Sequence, residues 1–285
     1  MPVTQHETAA QILLRGLIED AGLFPPTALR MLQAVERHRT DRIVAHPMLA
    51  HRFLCPSSRW PELLSRLNGG GRIDVGLTLD SAGLAGGPPE PDPRIRIAHY
   101  ETRARPKDLR MAADLFRSKG MNGRERTAVY FEIERVPGWL NAVAALSGAR
   151  PLGAKIHCSD PHASVSPSPA ELGEFITACV VGDVPFTVGS GWHRAAGHID
   201  PRTGFRRYGY LNLLLATATA VDFGHGRVQN ALTSTDEEWL AAEVASVAPS
   251  VARRTRELFV GYGSCSTGDP MRDAARLGLL GSWEV

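Results

Sequence analysis

Two periods of hydrophobic patterning alternate along the 285-residue chain. Short runs repeat every second residue, as in a strand with one face buried. Longer stretches return an apolar residue every three or four positions, as on one face of a helix. Ile12, Leu13, Leu17 and Ile18 predict a helix over 8–21 that stops at Gly22. Leu29, Leu32 and Val35 predict a second over about 27–39. Beyond them the two patterns take turns. Strands are expected at 52–56, 74–80, 94–101, 128–134, 152–158 and 185–190. Helices are expected at 60–67, 106–119, 137–146 and 169–181, and a Gly- and Pro-rich loop at 81–93. A polar loop 194–207 then leads to a helix 210–221 and a short strand around Val228. A long helix from Asp236 to Phe259 runs into a strand 258–264. The last helix, 270–277, has Pro270 in its first turn and Gly278 at its end.

Strands alternating with helices imply a parallel sheet covered by helices. Eight units in about 230 residues suit a closed (β/α)8 barrel of the TIM type. The expected fold is therefore one α/β domain over 1–285, with a helical segment at 1–40 packed on the barrel. The rival is an open doubly wound sheet, which lacks its glycine fingerprint. Gly261-Tyr262-Gly263 with Gly268 lies too near the C-terminus for a βαβ unit to follow.

In a barrel the apolar face of each strand packs on the helices and the other face points inward. Val129, Phe131 and Ile133 suit the helix layer, which turns Tyr130, Glu132 and Glu134 inward. Ala154, Ile156 and Cys158 face out, which turns Lys155 and His157 inward. Val75, Leu77 and Leu79 leave Gly76, Thr78 and Asp80 inside. Phe186 and Val188 leave Thr187 inside, with His193 beyond the strand end. The 94–101 strand admits two readings, with either His99 and Glu101 or Arg96 and Tyr100 inside.

Lys155 is the most suggestive of these groups. An interior lysine must be paired or neutral. If neutral it is a Schiff-base nucleophile or a base. If charged it holds an anionic substrate or an enolate. Glu132, on the adjacent strand, is its expected partner or a catalytic base, unless the two form an inert buried pair. His157 and His193 are candidate proton-transfer groups. Tyr130, Asp80, Thr187, Ser264, Ser266 and Arg207 are candidate substrate-binding residues. Ser264 and Ser266 belong to the stretch 261–268, where barrels often bind phosphate. No cofactor is required by the sequence, although Glu132, Glu134 and His157 together would suit a divalent metal. The loops containing Phe24-Pro25-Pro26 and 194–207 are expected near the mouth, with Arg202, Arg206 and Arg207 available to an anion. Cys55 and Cys265 end the expected first and last strands, adjacent in a closed barrel, and read as buried, unreactive thiols.

Composition narrows the class further. With 43% hydrophobic and 22% charged residues the chain can bury a large core. Lys plus Arg is 32 and Asp plus Glu is 30, and the arginines are scattered, which argues against nucleic acid as a partner. No apolar run is long enough to span a membrane, and the N-terminus lacks a signal-peptide layout. The four cysteines form no CxxC pair. A cytoplasmic protein with reduced thiols is expected, acting on a small anionic molecule and free to form a homo-oligomer.

Several segments taken together carry a resemblance. They are Gly22-Leu23-Phe24-Pro25-Pro26, Ala45-His46-Pro47, Arg52-Phe53-Leu54-Cys55-Pro56, the Lys155 strand, Pro185-Phe186 through His193, Tyr210-Leu211-Asn212-Leu213-Leu214 and Leu258 to Ser266. Over nearly its whole length the chain resembles a mainly actinobacterial family of barrel-like hypothetical proteins. That resemblance implies no activity. Relatives of this kind often read Pro-Phe-Lys where this chain has Pro185-Phe186-Thr187, so a second barrel lysine is absent here. The Lys155 strand is similar in placement to class I aldolase barrels, an analogy of architecture. The expected function is an aldolase-like lyase or isomerase acting on a small anionic carbonyl compound. The alternatives are a metal-dependent hydrolase or enolase-like enzyme, and a non-catalytic ligand-binding barrel.

Overall fold

In the computed structural model of the chain, eight parallel strands close into a barrel covered by helices. The structure describes residues 7–67, 69, 71–80, 89–118, 127–158, 166–191, 193–201 and 204–283. Most of the expected loop 81–93 and Arg202 lie outside them. The barrel strands are β1 (Ile18–Asp20), β2 (Leu49–Pro56), β3 (Ile73–Leu79), β4 (Ile95–Ala104), β5 (Ala128–Ile133), β6 (Leu152–His157), β7 (Phe186–Gly191) and β10 (Phe259–Ser264). A small antiparallel hairpin, β8 (His198–Ile199) and β9 (Arg206–Arg207), lies within the 194–207 loop. Around the barrel the order is β1-β10-β7-β6-β5-β4-β3-β2, and β1 closes the ring by pairing with both β10 and β2.

The barrel is as expected, but one strand comes from a different place. The first helix spans only Ala9–Leu14. A capping box starts it: the Gln11 backbone N–H donates to Thr8 Oγ1 at 3.2 Å, and the Thr8 N–H donates to Gln11 Oε1 at 3.0 Å. Gly16, at φ +58°, ends the run, and the expected end of the 8–21 helix is the strand β1. All three β1 residues are buried, so no alternation betrays the strand. The strand expected around Val228 is instead the helix Val228–Thr233, which buries Val228, Ala231 and Leu232 at helical spacing. The expected helix 236–259 is two helices, Glu237–Ser246 and Pro249–Leu258, with Pro249 opening the second. Because β1 lies between β10 and β2, Cys265 and Cys55 do not end neighbouring strands.

A layer of apolar side chains joins barrel to helices. Phe186 of β7 stacks on Phe259 of β10 with centroids 5.1 Å apart. Phe175, from the helix Pro169–Val181, meets Phe186 edge-on and stacks on Trp139. Beyond β7, the helix Tyr210–Phe223 is buried on nearly every side, Asn212 included. The Asn212 side chain fills all its hydrogen-bonding positions. Its Oδ1 accepts from the Gly197 and Gly209 N–H groups at 2.7 and 3.2 Å, and its Nδ2 donates to Ala231 O and Ser234 O at 2.7 and 2.9 Å. Asn212 thereby ties the hairpin loop to two helices. Asn212→Leu leaves several buried backbone groups without partners and is expected to cost about 3 kcal/mol in urea unfolding. A loss within roughly 0.5 kcal/mol, the range of an ordinary surface change, would contradict this role.

Candidate active site at the barrel mouth

The barrel interior is charged. Lys155 of β6 is 5% exposed, and its Nζ contacts Glu101 Oε2 of β4 at 2.6 Å. Thr78 of β3 donates to the same oxygen at 2.9 Å. On the far side of Glu101, His99 Nε2 lies 3.7 Å from Oε1, and His99 Nδ1 lies 3.8 Å from Glu19 Oε1 of β1. Glu19 in turn pairs with Arg52 of β2. Arginine, carboxylate, imidazole, carboxylate and ammonium thus alternate along the barrel interior. Burial raises the Glu101 carboxyl pKa. The Lys155 charge and the contacts from His99 and Lys155 outweigh burial and hold it well below the usual carboxylate range.

The expected Lys155–Glu132 pair is therefore corrected to Lys155–Glu101. Glu132 and Lys155 are partners in strand register, as the sequence suggested. Glu132 nevertheless turns to the mouth, where Oε1 lies 3.4 Å from Arg103 Nε and Oε2 lies 3.5 Å from His157 Nε2. Glu101 reaches Lys155 because of an irregularity in β4. Val75 pairs with Ile97 and Gly76 with His99, so Ala98 is an extra residue on that strand. The bulge reverses the alternation beyond it. His99 and Glu101 turn inward, and Tyr100 joins the outer apolar layer.

Three glycines make room for these groups. A Cβ on Gly76 would stand 2.5 Å from the His99 ring, and one on Gly261 would stand 2.5 Å from Glu19 Oε2. A Cβ on Gly189 would stand 2.8 Å from Lys155 Cε and 2.9 Å from His157 Nε2. The lysine stem and the imidazole therefore flank one point at the C-terminal end of β7.

Two cavities open at the C-terminal ends of the strands. One of about 540 Å³ is lined by Phe24, Thr78, Asp80, Glu101, Lys155 and His157, among others. The other, of about 740 Å³, is lined by Arg103, Arg105, Glu132, Glu134, Arg135 and Lys155, among others. Arg103, Glu132, Lys155 and His157 border both. Position and size suit a small-molecule site in this fold. The His157 pKa lies below its ordinary value, because burial and the Lys155 charge outweigh the Glu132 carboxylate.

The other expected site residues are spread more widely. Asp80 lines the smaller of these cavities and accepts hydrogen bonds from Ser57 Oγ at 2.7 Å and the Ser58 N–H at 3.2 Å. Tyr130 and Thr187 border a third cavity of about 350 Å³ at the opposite end of the barrel, with Glu19, Arg52 and His99. Ser264 Oγ donates to Ser266 O at 2.5 Å, and Ser266 Oγ accepts from the Asp269 N–H at 3.2 Å, so both hydroxyls serve the local turn. Arg207 is buried 3.4 Å from Asp200, and Arg206 donates to Thr233 O. Glu134 is exposed at the rim. Glu132 and His157 adjoin, but among the described residues no three His, Cys, Asp or Glu side chains converge on a metal position. His193 lines neither mouth cavity and stands with Cys265 and Asp269. Arg103, Glu19 and Arg52 were not among the sequence candidates. Glu19 was hidden in a predicted helix and Arg52 at the start of a strand.

The His157 environment gives a check that needs no substrate. A histidine with a lowered pKa is neutral at pH 7 and gains its proton below the usual range of about 6.5. In an NMR titration its ring protons are expected to shift with a midpoint below that value. Glu132→Gln removes a charge that favours the imidazolium, so the midpoint falls further. A midpoint above about 7 would contradict the assigned surroundings. Comparison with protein-family models and with curated proteins finds no match for the chain, so its chemistry rests on the site itself.

Proposed function

We propose that the chain is a barrel enzyme of the lyase or isomerase class that removes a proton next to the carbonyl of a small anionic compound. The observation that carries this reading is the buried Lys155 ammonium, held by Glu101 at 2.6 Å and bordering both mouth cavities beside His157. The 2.6 Å contact with the Glu101 carboxylate engages Lys155 Nζ in a buried ion pair, so Lys155 serves as an electrostatic group in preference to a Schiff-base nucleophile.

The step follows from the placement. The carbonyl oxygen of the substrate lies toward Lys155 Nζ and its α-carbon toward His157. The neutral imidazole takes the α-proton, the C–H electron pair becomes a C=C bond, and the carbonyl π pair moves to oxygen. The ammonium, already in place, stabilises the oxyanion that develops. Where the α-carbon carries a hydroxyl, that hydroxyl's proton passes to the oxyanion, its O–H pair becomes the new C=O, and return of the carbon-bound proton to the former carbonyl carbon gives an isomer; loss of a β-substituent with its bonding pair gives a lyase product. Arg103 at the rim supplies a positive charge for the substrate's anionic group. Its partner Glu132 also touches His157, so one carboxylate orients both.

Deuterium exchange in D2O, followed by NMR on pyruvate, 2-oxobutyrate and dihydroxyacetone phosphate, tests this. The wild-type protein is expected to wash out the α-protons of at least one of them. Lys155→Met should slow exchange by about 10²–10³-fold, and His157→Asn by about 10²-fold or more. Borohydride added with the reactive compound should leave no adduct on Lys155. Exchange that survives both substitutions would overturn the proposal. A trapped Lys155 adduct would replace the electrostatic role with a nucleophilic one.

A further inference from the structure

A second reactive cluster lies at the same end of the barrel, built from the ends of β7 and β10. Cys265 follows β10 directly, and its Sγ lies 3.7 Å from His193 Nδ1. His193 Nε2 lies 3.6 Å from Asp269 Oδ2, in the first turn of the helix Gly268–Arg276. Ser266 Oγ accepts the Asp269 N–H at 3.2 Å and fixes the start of that helix. Thiol, imidazole and carboxylate are thus in series. None of the other three cysteines has such surroundings: burial pushes the Cys55 and Cys158 thiols up to about 12, and Cys179 well above its ordinary value.

We propose that Cys265, His193 and Asp269 form a thiol nucleophile site that adds to the carbonyl carbon of a small aldehyde. His193 takes the Sγ proton and Asp269 stabilises the imidazolium. The thiolate forms a C–S bond to the carbonyl carbon, the π pair moves to oxygen, and that oxygen takes the proton from His193. The product is a hemithioacetal, and no other reactant is consumed. The charges around the sulfur fit this step. The Cys265 contact raises the His193 pKa against burial; Asp269, itself paired with Arg272, adds to this and Arg194 opposes it. Arg37 donates to the Cys265 carbonyl at 2.9 Å, with its own charge matched by Asp20. Burial opposes the Cys265 thiolate, but the His193 contact outweighs it and lowers the thiol pKa. Cys265 is only 4% exposed, which limits the electrophile to a small one.

The test is alkylation of the full chain by iodoacetamide between pH 6 and 9, with each cysteine followed by peptide mass spectrometry. At pH 7, Cys265 should react roughly tenfold or more faster than Cys55, Cys158 and Cys179. His193→Ala should slow it by about tenfold and move its pH midpoint upward. Asp269→Asn should do the same to a smaller extent, and it keeps the test open if His193→Ala does not fold. Propionaldehyde should protect Cys265 reversibly. Equal rates for all four cysteines, a Cys265 rate indifferent to both substitutions, or no protection by propionaldehyde would overturn the proposal.

Discussion

An ammonium and a carboxylate 2.6 Å apart inside a closed barrel constrain everything around them. Each ion alone in that position costs several kcal/mol of lost hydration, and only a close, well-bonded partner offsets this. The Thr78 hydroxyl and the His99 ring supply further contacts to Glu101, and His99 passes the requirement on to Glu19 and Arg52. Four strands besides that of Lys155 contribute to the chain: β1, β2, β3 and β4. The space it occupies is space that inward side chains would fill in an apolar barrel. Gly76, Gly189 and Gly261 leave that space open.

The same constraint places the candidate site. Lys155 is anchored from below by Glu101, so its ammonium is fixed at the floor of the mouth cavities instead of ranging through solvent. His157, two residues on along the same face of β6, stands one layer nearer the rim. Glu132 is freed from the lysine and joins Arg103 to His157. A buried charged layer thus supports a more exposed layer that can meet a ligand. The Cys265 cluster lies beside that site, just past the ends of β7 and β10, β7 being the neighbour of β6. The loop after β1 borders the smaller mouth cavity through Phe24.

The barrel was legible because its outer face is regular. Val75, Leu77 and Leu79, with Val129, Phe131 and Ile133, alternate without interruption and bury as that alternation implies. The inward direction of Lys155 follows from its neighbours Ala154 and Ile156 in the same way. What escaped was non-periodic. β1 is three residues long and wholly buried, so it merged with the helix before it. The bulge at Ala98 reverses the alternation midway through β4, and with it the choice of partner for Lys155. No local pattern announces such a bulge, because it is set by pairing with β3. The nearness of His193, Cys265 and Asp269 joins residues just past two strands with one in a helix, which spacing along the chain does not show.

The most direct test of the account is a double-mutant cycle on Lys155 and Glu101, read as unfolding free energy in urea. Lys155→Met and Glu101→Gln should each destabilise the protein by about 3–5 kcal/mol, since each leaves a buried group without its partner. The double variant should be more stable than the sum of the two losses implies, by about 2 kcal/mol or more. Losses that simply add would contradict a buried, mutually dependent ion pair at the centre of the fold and the site.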